Sequence, residues 1–390
     1  MPNHYDTIVV GLGAMGSAAL YHLARQGANV LGIDQFRPPH TLGSSHGESR
    51  ITRLAIGEGA AYVPFAQRSH VLWRELEAES GAQLLTLSGG LIICPIAGGA
   101  QFHGQRDFVE HTAAIAHQFA IEHWVWDAAT VRQRWPHLRI TDREHAYYEP
   151  TGGLVAVERA IETQLRLAKQ RGATVHLEEE VLSYTPTAAG VTVTTKAGVY
   201  QADKVIIAAG PWVRALLPKA LSNQFRIYRQ VIYWFEVDEP ARFHSERCPF
   251  LIWIGDTQEE YFSLFPYAEG GTVGAKVLTE EYLQTVTPTS VDRTVHAQEV
   301  QRIYREFVQR RVAGVQARCL KSDVCLYTNT PDANFIIDFH PESERVIVAS
   351  PCSGHGFKHS AAIGETLAQL AVTGQSTLDI RPFAFARHAQ

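Results

Sequence analysis

Cysteine is scarce in the sequence and scattered where it occurs. The five thiols, Cys94, Cys248, Cys319, Cys325 and Cys352, include no CxxC pair. That spacing argues against a structural zinc site, and no metal is expected. An odd, dispersed set argues against a disulfide framework and suits a reducing cytoplasm. Long apolar runs are missing too. The first, Ile8 to Val10, gives way at once to glycines, so neither a signal peptide nor a membrane anchor is expected. A basic field is also lacking: the formal net charge is −5, which leaves nothing to attract nucleic acid. What is present is 390 residues at 45% hydrophobic content, enough for two lobes and a full core.

The N-terminal pattern is strand, glycine turn, helix, strand. Thr7 to Val10 is apolar, a helix carries Leu20, Leu23 and Ala24 on one face and stops near Gly27, and Asn29 to Ile33 leads into Asp34. Continuous apolar runs return at Lys204 to Ala209 and Arg345 to Ser350, as a parallel sheet covered on both faces requires. A helix over 157–170 places Val157, Ala160, Ile161, Leu165 and Ala168 on one side, with Gly172 past its end. A last helix runs from about Gly356 to Thr373 and stops at Gly374. Between these, Val231 to Glu236 and Pro249 to Ile254 read as antiparallel strands, and 290–318 has charged, helical patterning. The expected fold is α/β: a discontinuous Rossmann-type nucleotide-binding domain (1–85, 146–220 and 321–390) interleaved with an antiparallel-sheet substrate domain (86–145 and 221–320).

Gly11, Gly13 and Gly16 form GxGxxG between that first strand and its helix. The first glycine permits the tight turn, the second lets a pyrophosphate approach the backbone, and the third lets helix pack on strand. The helix N-terminus offers unpaired N–H groups to the phosphates. Asp34 lies 23 residues after Gly11, where a carboxylate accepts hydrogen bonds from ribose hydroxyls. The motif predicts a dinucleotide but does not separate NAD from FAD.

A wider set of residues does. Pro38, Pro39 and His40, then Gly43 to Arg50, Arg53 and Gly57 to Gly59, resemble the family of monomeric sarcosine oxidase and N-methyltryptophan oxidase. The likeness continues through Tyr62 to Pro64, Arg134 to Pro136, Tyr228 to Gln230, Cys325 to Thr328, Phe335 to Asp338 and Ser353 to Lys358. It spans nearly the whole chain and is weakest between about 240 and 320. The resemblance implies a two-domain flavoprotein of the glucose-methanol-choline and D-amino-acid-oxidase type, monomeric, acting on a small amino acid and O2. It implies FAD bound through an 8α-S-cysteinyl thioether at Cys325. His46 and Arg50 match positions against the flavin ring, where cations stabilise the charge of the reduced form. Ser45, Val181, Gly210 with Trp212, Gly354 and Gly356 match other cofactor-contacting positions.

By the same resemblance, Arg53 and Lys358 hold the substrate carboxylate, one as a planar fork and one as a point charge, and Lys358 also counts among the cofactor contacts. Tyr327 matches a pocket-lining tyrosine, and Lys276 matches a lysine that activates oxygen. The implied reaction is oxidation of a secondary amino acid's C–N bond by hydride transfer to FAD, O2 being reduced to hydrogen peroxide. A dehydrogenase with another electron acceptor is the alternative. Departures bear on the substrate. Leu54 and Ile56 replace a histidine and a tyrosine, Glu280 replaces a histidine, Ser263 stands at a pocket-tyrosine position with Tyr261 close by, and His359 follows Lys358. Sarcosine, larger N-methyl amino acids and cyclic imino acids all remain open.

Overall fold

The computed structural model describes residues 4–97 and 99–388. The glycine turn sits at the end of a strand in the middle of an eight-stranded sheet. His4–Val10 pairs in parallel with Val30–Asp34 on one side and Val199–Ile207 on the other. Thr174–Leu177 and Ser343–Ser350 extend the parallel set. Val181–Pro186, Val191–Thr195 and Ile336–His340 add antiparallel pairs. The central strands are buried on both faces, which is why they read as unbroken apolar runs.

Three helices cover this sheet near the glycine turn. Ala14–Arg25 starts from Gly13 with no side-chain cap from that residue, and Ala14 N donates only a long bond of 3.4 Å to Ser45 Oγ, which a ligand can replace. Val157–Gln170 buries the expected apolar face and ends before Gly172, whose φ is +92°. Ser360–Thr373 ends at Gly374 in the left-handed conformation, as a helix C-terminus commonly does. Ser17 Oγ donates to Gln164 Oε1 at 2.9 Å, tying the first two helices together. Among the described residues no helix is long and apolar enough to cross a membrane.

A second eight-stranded sheet runs in the order Val315–Asn329, Arg226–Val237, Ala275–Thr279, Phe262–Phe265, Phe250–Trp253, Gly90–Pro95, Glu144–Glu149 and Trp124–Asp127. A small sheet of Ser49–Thr52, Gly153–Ala156 and Leu85–Leu87 accompanies the two large ones. The two-sheet α/β architecture agrees with the expectation, but details differ. Phe250–Trp253 pairs in parallel with Gly90–Pro95, so the second sheet is not wholly antiparallel. The helical segment expected over 290–318 is confined to Ala297–Arg311, and Val315 onward is strand. The strand from Val315 lies at the sheet edge and its first half is largely exposed. Polar side chains there carry no burial signal that would separate strand from helix.

Gly364 is where the last helix meets the first. A Cβ at Gly364 would lie 2.3 Å from Ala18 Cβ and 2.6 Å from Ala18 C, so the helices must part to admit it. Gly364→Ala is therefore predicted to cost about 1–3 kcal/mol, read as a lower Tm. Gly198→Ala, with nothing within 4 Å of the added atom, is the control and leaves Tm unchanged.

Candidate active site

A cleft of about 190 Å³ opens along the carboxyl ends of the parallel strands. Gly11, Gly13, Ala14 and Asp34 line it, with Ser45, Arg50, Val181, Gly210, Trp212, Tyr327, Gly354 and Gly356. The backbone explains two of the glycines. Gly11 has φ +87°, and a Cβ there would sit 2.5 Å from Ala208 O; a Cβ at Gly16 would meet Gly11 O at 1.7 Å. Asp34 accepts from Leu12 N at 2.7 Å and Phe36 N at 2.8 Å, which fixes its carboxylate at the cleft wall. Burial raises the pKa of Asp34 against those two N–H groups.

The loop from Ser44 to Arg50 forms another wall. Glu158, in the first turn of its helix, accepts from Gly47 N at 2.6 Å and Glu48 N. Ser44 Oγ donates to Leu326 O at 2.5 Å. Arg50 donates to Ser49 O and Ser44 O at 2.9 and 3.0 Å. His46 is buried beside Ser45, and neither of its ring nitrogens has a partner among the described residues. Burial, with Arg50 close by, pushes it down to about 4, so it is neutral at pH 7. An open helix N-terminus, a buried carboxylate at the second strand end and orphaned imidazole nitrogens together fit a dinucleotide cofactor such as FAD.

A second cavity, about 60 Å³, shares Arg50, Tyr327, Gly354 and Phe357 with the cleft. Arg53, Lys358 and Glu58 meet in it. Arg53 Nε donates to Ala55 O at 3.0 Å, and its guanidinium is paired with Glu58 Oε2. Lys358 Nζ donates to His355 O at 2.8 Å and lies 3.5 Å from Glu58 Oε1. Burial alone would raise Glu58, but Arg53 and Lys358 hold it well below the usual carboxylate range. Burial drives Lys358 down to about 8, Glu58 opposing. His355 and His103 line the same cavity, and burial lowers both. Arg53, Lys358 and Glu58 together leave a charge of +1, suited to one small anion, while Arg50 and Glu280 line the cavity elsewhere.

Of the remaining expected residues, Gly16, His46, Lys276 and Cys325 line neither of these two spaces. Lys276 lines a third cavity of about 270 Å³, with Glu48, Trp234 and Thr272. It is buried, and its Nζ donates to Gly47 O at 3.0 Å and to Ser49 O and Oγ at 2.6 Å. Burial, then Arg50, lowers it well below an ordinary lysine. Lys276 thus approaches the site from beneath the Gly47–Arg50 segment. Cys325 is wholly buried on the edge strand, opposite Gln230 and two residues before Tyr327. Burial pushes its thiol up to about 11. Lys358 lines the second cavity and not the cleft.

Sequence reasoning did not single out Cys352, which lines the cleft, nor Phe102 and His103, which close the second cavity from a loop carrying no motif. It gave Glu58 no role in the site; the structure makes it the bridge between both cations. Cys94, Asp107 and His145 gather ligand-type atoms within 4.8 Å of one another, a grouping that the absence of CxxC did not foreshadow. Burial pushes the Cys94 thiol up to about 12, and it donates to Asp107 at 3.7 Å.

Residues 6–370 match the family described as DAO, FAD dependent oxidoreductase. The chain is 38% identical to monomeric sarcosine oxidase from Bacillus sp. (strain NS-129) over 391 residues, covering 100% of this chain and 98% of that protein. It is 33% identical to N-methyl-L-tryptophan oxidase from Yersinia pestis (strain Pestoides F) over 386 residues, covering 98% and 99%. Among solved structures, NikD, an unusual amino acid oxidase essential for nikkomycin biosynthesis, superposes with a TM-score of 0.83 at 22% identity, over 98% of this chain and 97% of that one.

The cavity charge sets a pH dependence. Lys358 carries its proton below about 8, so binding of a plain carboxylate such as butyrate is predicted to weaken as pH rises through that value. Lys358→Met should weaken binding at pH 7 and flatten the profile. Titration followed by calorimetry reads both; an affinity that rises from pH 7 to 9 would contradict the assignment.

Proposed function

The chain belongs to the DAO family of FAD dependent oxidoreductases, and from that premise we propose that it oxidises the C–N bond of a secondary amino acid at the junction of the cleft and the Arg53–Lys358 cavity. It is an FAD-dependent amine oxidoreductase. The observation that carries the proposal is the sharing of Arg50, Tyr327, Gly354 and Phe357 between the two spaces. A substrate held in one can present its reacting carbon to the other.

When bound, FAD would supply the two-electron acceptor for a hydride equivalent from the carbon beside nitrogen, with O2 as the final acceptor and hydrogen peroxide as the product. The protein's part is binding, orientation and charge. Arg53 and Lys358 take the substrate carboxylate, which fixes the amine end toward Gly354 and Tyr327; this is chiefly an orientation effect. Glu58 keeps the two cations together before substrate arrives. Arg50, at the junction, offers a positive charge to the reduced cofactor. Lys276, hydrogen-bonded to the far side of the same loop, is assigned to the oxygen step, where negative charge develops. Cys325 is assigned the covalent attachment; its buried thiol lies near Arg50 and Lys276, whose charges favour the thiolate. The imine product hydrolyses in water.

The test of the reaction is anaerobic bleaching of the purified yellow protein by a panel of sarcosine, N-methyltryptophan and proline, followed by peroxide measurement on admission of air. Bleaching by at least one amine, with stoichiometric peroxide, is expected. Bleaching without rapid reoxidation would move the protein to the acceptor-dependent dehydrogenases. Lys276→Met should slow reoxidation by about 10²–10³-fold while anaerobic bleaching stays within about tenfold. For the tether, Cys325→Ser should leave the flavin extractable by acid, whereas Cys352→Ser should retain it. The reverse result would assign the bond to Cys352.

A further inference from the structure

The oxidation proposed above needs a neutral amine, because the nitrogen lone pair must assist loss of hydride. An N-alkyl amino acid in water near pH 7 is a zwitterion, with an ammonium group that titrates near about 10. The cavity's charges constrain what happens to that proton. Arg53, Lys358 and Glu58 sum to +1. The substrate carboxylate cancels this, so an ammonium in the same largely buried space needs a further negative group beside it.

One further acid faces the same space. Glu280 follows the strand Ala275–Thr279 and lines the cavity. Its Oε2 accepts from Tyr282 Oη at 2.8 Å. Its Oε1 accepts no hydrogen bond among the described residues. That oxygen points at Gly354, where an added Cβ would come within 3.0 Å of it and within 3.0 Å of Tyr327 Cε2. Gly354 and Tyr327 both line the junction with the cleft. The unpaired carboxylate oxygen therefore lies where the substrate nitrogen has to be.

Resting on the proposed amine oxidation, we infer that Glu280 is the acceptor of the substrate's ammonium proton. The N–H bond breaks, its electron pair remains on nitrogen as the lone pair, and an O–H bond forms on Oε1 of Glu280. The carboxylate becomes a carboxylic acid as the ammonium becomes an amine, so cavity and substrate exchange no charge with solvent.

The surroundings of Glu280 suit this role. Burial raises it to about 7, so it is ionised when the zwitterion arrives at mildly alkaline pH. The groups facing it are Tyr282 after its own strand, Tyr261 just before the strand Phe262–Phe265, Tyr327 on Val315–Asn329, Arg50, Arg53 and Glu58, His103, and His355 and Lys358 before the last helix. Burial raises the three tyrosines and lowers the two histidines, so none of these five changes charge between pH 7.5 and 9. Lys358 does, at about 8.

The test is Glu280→Gln, which keeps the shape and removes the proton acceptor. Dissociation constants for sarcosine and for butyrate, its carbon isostere, are measured anaerobically from pH 7.5 to 9 by calorimetry on the flavin-loaded protein. The wild type accepts the zwitterion directly; the variant must select the neutral amine. The ratio of variant to wild-type Kd for sarcosine should therefore rise about tenfold for each pH unit descended. Glu280 helps to hold the proton on Lys358, so its removal shifts Lys358 for both ligands alike, and dividing the sarcosine ratio by the butyrate ratio removes that contribution. For butyrate, which has no proton to give, the ratio should change less than about threefold. A pH-independent ratio for sarcosine, or the same slope for butyrate, overturns the assignment. If sarcosine binds with the expected slope but no amine in the panel bleaches the flavin, the oxidation reading fails and the proton acceptor stands. A variant that binds butyrate as the wild type does has kept its fold.

Discussion

The site depends on one buried carboxylate shared between two cations. Glu58 pairs with Arg53 on one side and Lys358 on the other, all three side chains being almost wholly buried. Without it the two positive groups would repel at close range in a medium of low dielectric, and removing one partner of such a buried set costs about 3–5 kcal/mol. Arg53 reaches Glu58 from five residues away and Lys358 from the far end of the chain. Arg53 follows a strand of the small sheet, and the next two residues are fixed by Glu149, whose carboxylate accepts from Leu54 N and Ala55 N at 2.6 and 3.0 Å. Lys358 stands just before the last helix, held by His355 O. The fold spends its connectivity on bringing these three groups together with a surplus of one positive charge.

That surplus orders the rest of the proposed chemistry. An anion enters one end of the cavity, and the other end meets the cleft at Gly354 and Tyr327. The loop from Ser44 to Arg50 divides the site. Its Arg50 faces both spaces, and Lys276 holds its opposite surface from the second sheet. Electrons would arrive on the cavity side and leave on the lysine side, with different cations serving each step.

Much of this was legible before any coordinates. The glycine turn, the strands at Thr7 and Lys204 and the helix over 157–170 carry local signals, periodicity and turn chemistry, that survive in isolation. Tertiary features did not. The parallel pairing of Phe250–Trp253 with Gly90–Pro95 joins segments far apart in the chain and leaves no mark on either. The edge position of Val315–Asn329 mixes polar and apolar residues so that strand and helix look alike. At the site, Arg53 and Lys358 stand in motifs and were visible. Glu58 was visible only as a neighbour of Arg53, because its contact with Lys358 exists only once the chain has folded. Glu280 read as a departure, and only the cavity shows what it faces.

The most direct measurement is a crystal structure of the reduced, FAD-loaded protein grown without oxygen in the presence of an N-methyl amino acid. The account predicts the ligand's carboxylate within hydrogen-bonding distance of both Arg53 and Lys358, with its nitrogen toward Gly354. A carboxylate seated elsewhere, against Lys276 or outside the Arg53–Lys358 cavity, would contradict it.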